Sequence, residues 1–136
     1  MNYNDTSVPY PALPESQLML KVGCEKCLEL PKSYDEVVTE RDGEHLYDTS
    51  HHSFHLENCR FCSQIYLNQF YEEIADGGEY LMWNAWIPLT SEEVNLIRDN
   101  VSNDIRDASF GDWLKNFMLQ RPAVYICLPN GEFIRG

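Results

Sequence analysis

The stretch "NCRFCSQIYLNQF", residues 58–70, places Cys59 and Cys62 two residues apart and directly ahead of an aromatic run. The same spacing occurs upstream in "VGCEKCLEL", residues 22–30, at Cys24 and Cys27. A Cys-x-x-Cys turn presents two sulfurs from one tight loop, and two such turns supply the four ligands of a structural zinc site. The four cysteines are therefore predicted to bind one Zn²⁺ ion.

The interval between the two cysteine pairs is 31 residues, longer than in most compact zinc sites. Asp42 and Gly43 within it are a two-residue hairpin signal, and a hairpin would bring the ends of the interval together at small entropic cost. Two redox-active dithiols are the alternative reading, although neither pair follows a thioredoxin-like strand. The fifth cysteine, Cys127, lies in an apolar stretch and is predicted to be a core residue.

Helical spacing of apolar residues downstream of the second pair predicts a helix from Cys59 to about Ala75. The order of cysteine turn, hairpin and second pair at a helix start resembles the treble-clef zinc motif over residues 22–75. That resemblance implies a knuckle at Cys24 and Cys27, with Cys59 and Cys62 in the first turn of the helix. Because treble clefs serve many unrelated functions, it implies a scaffold and no particular activity.

Four histidines also lie within the interval: His45, His51, His52 and His55. The sequence leaves open whether one of them replaces or supplements a cysteine ligand. The run "SHHSFH" between cysteine pairs resembles HNH-like nucleases, which implies a metal-dependent hydrolase using His51, His52 or His55. A shell of four sulfurs, however, has no open position for an activated water.

The rest of the chain predicts one α+β domain. Residues 1–17 carry Pro9, Pro11 and Pro14 and are predicted to be an extended arm. The zinc module spans residues 18–76, and residues 77–136 form a layer of strand, two helices and hairpin. In that layer Pro88 is predicted to end a strand. Thr90 and Glu93 form the capping box of a helix that runs to about Ala108, and Ser109 begins the second helix. Asn130-Gly131 forms the turn of the hairpin.

The net charge of the chain indicates which kinds of partner it can bind. The formal net charge is −12, and each half of the chain carries −6, so that no tail accounts for it. Such a field repels phosphate backbones and attracts basic surfaces. Direct nucleic-acid binding by the zinc module is therefore disfavoured, and a basic protein partner is favoured. No apolar run reaches the length of a membrane span and the N-terminus lacks signal-peptide character, which together predict a cytoplasmic protein without membrane contact.

These observations predict a non-enzymatic, zinc-stabilised acidic binding protein or inhibitor. Its partner would be a basic protein, including one that itself binds nucleic acid. An HNH-like nuclease or hydrolase and a zinc-finger nucleic-acid-binding module are the alternatives. The residues predicted to contact the partner are acidic side chains in two clusters and one tryptophan: Asp35, Glu36, Glu40, Glu92, Asp99, Asp107 and Trp86.

Overall fold

The structure is a computed structural model that describes residues 23–120 and 122–136. Its helices are α1 (Glu25–Leu28), α2 (Ser91–Asn100) and α3 (Ala108–Gln120), with a 3-10 turn at Tyr34–Glu36. Its strands are β1 (Thr39–Arg41), β2 (Tyr47–Asp48), β3 (His52–Cys59), β4 (Ile65–Ile74), β5 (Tyr80–Pro88), β6 (Tyr125–Cys127) and β7 (Phe133–Ile134). The mixed helix and strand content agrees with the α+β class. The predicted arm at residues 1–17 lies outside the described residues.

All seven strands belong to one antiparallel sheet. Its order is β1-β3-β4-β5-β6-β7, and β2 also pairs with β3. The strands β4 and β5 form the long central hairpin, whose turn includes Asp76 and the two glycines that follow it. The predicted division after residue 76 falls in this turn, so the sheet contains strands from both predicted segments.

The predicted helix from Cys59 to Ala75 is wrong. Cys59 ends β3, a short turn follows, and residues Ile65–Ile74 form β4. The physical reason is tertiary, because β4 pairs with β3 on one side and with β5 on the other. A central strand buries both faces, so Tyr66, Leu67 and Asn68 are all buried and the apolar pattern loses the alternation that marks a half-exposed strand. The helix that the treble-clef resemblance implies is therefore not found here, and that resemblance is not confirmed.

The predicted hairpin at Asp42-Gly43 is also wrong, although the turn itself is present. Gly43 has a φ of +90°, the left-handed conformation that glycine takes readily. The strands on either side of this turn do not pair with each other. Instead β1 pairs with the C-terminal half of β3 and β2 with its N-terminal half.

Two helices cover one face of the sheet. The Thr90 hydroxyl accepts a hydrogen bond from the Glu93 backbone N–H, and the Glu93 carboxylate accepts one from the Thr90 backbone N–H, so the predicted capping box is confirmed. The helix is shorter than predicted because α2 ends at Asn100, and Asp107 accepts the N–H groups of Ser109 and Phe110 at the start of α3. The core beneath the helices is made mainly by β3, β4, β5, α2 and α3: Phe54, Leu56, Leu67, Ile87, Ile97, Phe110, Leu114 and Phe117.

A second core lies on the opposite face, where the cysteine turns pack. Its buried residues are Cys27, Cys59, Tyr66, Trp86, Tyr125, Cys127 and Phe133. Cys127 is thus a core residue, as predicted. The predicted strand ending at Pro88 is confirmed as β5, and the predicted C-terminal hairpin is confirmed as β6 and β7, with Gly131 at a φ of +88°. This second core positions the cysteines.

Candidate metal centre

The two cysteine pairs come from different parts of the chain and meet beside the edge of the second core. Cys24 immediately precedes α1 and Cys27 lies within it. Cys59 is the last residue of β3, and Cys62 lies in the turn before β4. That turn requires one left-handed residue, and Ser63 takes this conformation with a φ of +64°.

Gln64 ties the first cysteine turn to the sheet. Its Oε1 accepts the backbone N–H of Gly23 at 3.1 Å, and its Nε2 donates to the Leu89 carbonyl at 2.7 Å. Gly23 itself has a φ of +76°, and a Cβ there would lie 2.9 Å from both Cys27 Sγ and the Tyr66 hydroxyl. A glycine is therefore needed to bring the backbone this close to the sulfurs.

The four sulfur atoms all lie within 4.8 Å of one another. The Cys24–Cys27 and Cys24–Cys59 distances are 3.9 Å, and the Cys27–Cys62 distance is 3.8 Å. A disulfide bond would require about 2.05 Å, and all five cysteines are free. A tetrahedron with metal–sulfur bonds of 2.3 Å has sulfur–sulfur edges of about 3.8 Å. The four sulfurs can therefore hold one metal ion.

Hydrogen-bond donors converge on these sulfurs from the surrounding chain. The Tyr66 hydroxyl donates to Cys27 Sγ at 2.9 Å, and the Cys24 backbone N–H donates to the same atom at 3.3 Å. The Phe61 backbone N–H donates to Cys59 Sγ at 3.3 Å. Sulfur accepts hydrogen bonds well as a thiolate and poorly as a thiol, so these donors suit the ionised form that binds metals.

The thiols differ in their tendency to ionise. Backbone hydrogen bonding at Cys27 is the main cause that lowers the pKa of Cys24 to about 7. Burial raises the pKa of Cys27. The pKa of Cys62 is raised to about 12, mainly by loss of hydration around the sulfur and secondly by hydrogen bonds with the other cysteines. The residue as a whole is nevertheless exposed. Four thiolates this close repel one another, and a bound cation would remove that repulsion.

None of the four histidines belongs to this cluster of sulfurs. His51 lies before β3 and contacts Glu72 at 3.1 Å, while His52 is buried with its Nε2 2.8 Å from the Gln69 amide. His55 lies three residues further along β3, so its side chain faces the opposite side of the sheet from His52. His45 contacts the His55 ring at a centroid distance of 5.5 Å. His52 and His55, two of the three histidines that the alternative nuclease reading would use, thus lie on opposite faces of the sheet.

Sequence reasoning missed a buried carboxylate next to the second core. Glu57 accepts hydrogen bonds from Thr39 at 2.5 Å and from the Trp86 indole at 2.8 Å, and it lies 2.6 Å from His55 Nε2. Burial opposes its ionisation, but hydrogen bonds from His55, Thr39 and Trp86 outweigh that effect and lower the pKa of Glu57. The side-chain hydrogen bond between Thr39 and Glu57 joins two strands, so it could be predicted only from the correct register of β1 on β3.

Of the seven residues predicted to contact a partner, five are exposed and two are not. Asp35, Glu36 and Glu40 are exposed around the 3-10 turn and β1, and Glu92 and Asp99 are exposed on α2. Asp107 does not join Glu92 and Asp99 on α2 because the helix ends at Asn100, and its carboxylate caps α3 instead. The prediction that Trp86 is a partner anchor is wrong, since its side chain is fully buried between Tyr125, Phe133 and Glu57.

Comparison of the chain with protein-family models, with curated proteins and with solved structures found no match. Within the part of the chain that the structure describes, no helix combines the length and the apolar character needed to cross a membrane. The cysteine cluster and the distribution of charge are therefore the features that indicate its function.

Proposed function

We propose that Cys24, Cys27, Cys59 and Cys62 bind Zn²⁺ as a closed structural site. The observation that carries this proposal is the close approach of four free sulfurs, all within 4.8 Å of one another and with three of the spacings at 3.8 or 3.9 Å, near the edge of a zinc–sulfur tetrahedron. Thiolate ligands in this geometry suit zinc or an iron–sulfur centre, and four protein ligands complete the shell that zinc takes in structural sites. With the shell complete, the ion has no open position for a water or substrate. Its role would be to join α1 to the β3–β4 turn.

We infer that the protein is a non-enzymatic binding protein or inhibitor that docks on a basic protein partner, including partners that bind nucleic acid. The net charge of −12 supports this inference, as do the exposed carboxylates of Asp35, Glu36 and Glu40 on one surface and of Glu92 and Asp99 on another. Charge complementarity of this kind accelerates encounter with a basic surface and selects against acidic ones. The proposed compartment is the cytoplasm, where cysteines stay reduced.

The experiment is capture of partners from the source cells, with the purified full chain as bait. Two variants serve as comparisons, one with D35N, E36Q and E40Q, and one with E92Q and D99N. We expect a stoichiometric basic protein whose retention falls steeply as salt rises and is weaker with at least one variant. Absence of any stoichiometric partner would argue against docking. Phosphodiester hydrolysis that is lost when His51, His52 and His55 are changed to alanine would contradict the non-enzymatic assignment.

A further inference from the structure

The β4–β5 hairpin extends well beyond its neighbours in the sheet. Pairing with β3 ends where His52 meets Tyr71, and pairing with β6 ends where Asn84 meets Cys127. Apart from a hydrogen bond that the Glu72 N–H donates to the His51 carbonyl, residues 72–83 therefore form a two-stranded projection, which we call the hairpin arm. A ribbon of only two strands is marginally stable in water, so a further strand paired with the arm would stabilise it.

One face of the hairpin arm carries an exposed apolar stripe, formed by Ile74, Tyr80 and Met82. Ile74 and Tyr80 lie directly opposite each other, and Met82 follows Tyr80 on the same face. Their exposed fractions are 56%, 59% and 47%, respectively. Large apolar side chains that are exposed together, rather than singly, are typical of interaction surfaces.

The stripe adjoins a free backbone edge. The Ala75 N–H donates to the Glu79 carbonyl, so Ala75 and Glu79 are a hydrogen-bonded pair. Such pairs alternate with non-hydrogen-bonded pairs along an antiparallel ladder, which directs the backbone N–H and C=O of Tyr80 and Met82 away from β4. No strand in residues 23–120 or 122–136 pairs with this edge of β5 at residues 80–83. The edge can therefore accept one further strand.

The charge around the stripe has a single sign. The hairpin arm contains Glu72, Glu73, Asp76 and Glu79, and the chain has no lysine or arginine between Arg60 and Arg98. Glu73, Asp76 and Glu79 are exposed, whereas Glu72 contacts His51. Two copies of the arm would bring like charges together, which disfavours self-association. A basic segment with apolar side chains at alternate positions would instead place its apolar side chains on the stripe and its cations on the opposite face, where Glu73 and Glu79 lie.

We propose that the hairpin arm binds an extended segment of a basic protein in which apolar residues alternate with lysine or arginine. The segment pairs as an added strand with the edge of β5, its apolar side chains pack on Ile74, Tyr80 and Met82, and its cations face the acidic residues of the arm. Strand addition of this type takes affinity from the backbone and specificity from alternate side chains. This proposal rests on the proposed function and identifies the surface and the kind of segment that it uses.

The test uses a synthetic nine-residue peptide that alternates lysine with valine or leucine. Binding to the full-length, metal-loaded protein is followed by isotope-labelled NMR, which locates the contact residue by residue. Intrinsic tryptophan fluorescence, to which Trp83 next to the edge contributes, gives a second signal. Two control peptides replace every lysine by glutamate, or every apolar residue by serine. We expect saturable binding of the first peptide, shifts confined to residues 72–83 and their neighbours, and at least tenfold weaker binding of both controls.

Protein variants separate the stripe from the edge. Y80S and M82S remove apolar contact, and M82P removes one outward-facing N–H while leaving the bonds to β4 in place. L119S is the matched control because Leu119 on α3 is 83% exposed and lies on the other side of the molecule's core. We expect each arm variant to weaken peptide binding about tenfold or more, as loss of an interface anchor does, and L119S to have no effect.

The outcomes distinguish this proposal from the broader one. If the basic peptide shifts residues around Asp35 or Glu92 and the arm variants bind normally, docking on basic partners survives and the hairpin arm is excluded. If no basic peptide binds at any site, the hairpin-arm proposal fails, and the capture experiment decides the broader one separately. Concentration-dependent dimerisation that M82S abolishes, or protection of the stripe by residues 1–22 of the same chain, would also overturn it.

Discussion

Tyr66 connects the sheet to the metal centre through a single hydrogen bond. Its side chain is buried in the second core, and its hydroxyl lies 2.9 Å from Cys27 Sγ. Burial first, and the bond to Cys27 second, raise the pKa of Tyr66, so the hydroxyl keeps its proton and remains a donor. A neutral donor beside a thiolate stabilises the negative charge on sulfur and fixes the sulfur in place.

The variant Y66F removes this donor with little change in shape. We expect its zinc dissociation constant to rise about 10-fold or more, the usual effect of losing an outer hydrogen bond to a metal ligand. Competition with a zinc chelator measures the change, and Y80F serves as the control because Tyr80 is exposed and remote from the cysteines. Unchanged zinc affinity in Y66F would show that the hydrogen bond does not support the metal.

His52 makes folding stability depend on pH. Burial, and to a smaller extent the charge of Lys115, lower the pKa of His52 to about 4. The unfolded chain binds the proton below its ordinary pKa of about 6.5, whereas the folded chain does not until about pH 4. The contribution is therefore fully present above pH 6.5 and is lost as the pH falls towards 4.

We expect His52 to account for about 2 kcal/mol of the loss in unfolding free energy between pH 7 and pH 5. Urea unfolding at the two pH values measures the loss in the wild type and in H52Q, whose side chain stays neutral. The variant should lose less stability than the wild type over this interval. Equal losses in the two proteins would mean that His52 titrates in the folded state as freely as it does in solution.

Among the elements, α2 is the one whose start the sequence predicts best. Its capping box is a local pattern, made by Thr90 and Glu93 within a single turn, and it does not depend on the rest of the fold. The sequence predicts the end of this helix less well. Val101 and Ile105 continue the helical spacing of apolar residues, but they lie beyond the helix and are exposed. The Asp48 N–H binds the Ile105 carbonyl, so the loop after α2 is held by β2 and not by helical bonds.

The variant T90A should lower the unfolding free energy by about 1 kcal/mol, because one backbone N–H at the start of α2 loses its acceptor. Chemical denaturation provides the measurement. The neighbouring S91A is the control, since Ser91 is exposed at the first helical position and does not supply the cap. A cost in T90A no greater than that in S91A would contradict the role assigned to the capping box.

The strand β4 shows where local reasoning fails. Its apolar residues can be fitted to a helical face, and the alternation typical of a strand is hidden because both sides of β4 are covered at Tyr66, Leu67 and Asn68. Two signals in the sequence favoured a strand: the enrichment in aromatic and β-branched residues, and the Asp76-Gly77-Gly78 turn between two apolar runs of similar length. The cysteine cluster was predictable because ligand spacing is local to each pair, whereas the Glu57 hydrogen bonds depend on strand register.

At the scale of the whole molecule, two features act together. The proposed metal ion joins the N-terminal cysteine turn to the β3–β4 turn on one face of the sheet, and the helices cover the other face. Acidic side chains surround this framework, and the longest stretch without lysine or arginine includes the hairpin arm. The proposed basic partner would bind the apolar, acidic projection, and the proposed metal ion would serve only as a structural element.

The most direct test of the account is the metal content of protein purified without added metal, measured by elemental analysis together with thiol titration. We predict one zinc ion per chain in the wild type and in C127A, whose cysteine lies outside the cluster, and loss of the ion in C24S and C59S together with a lower melting temperature. A wild-type protein that is folded, free of metal and indifferent to C24S would contradict the central claim.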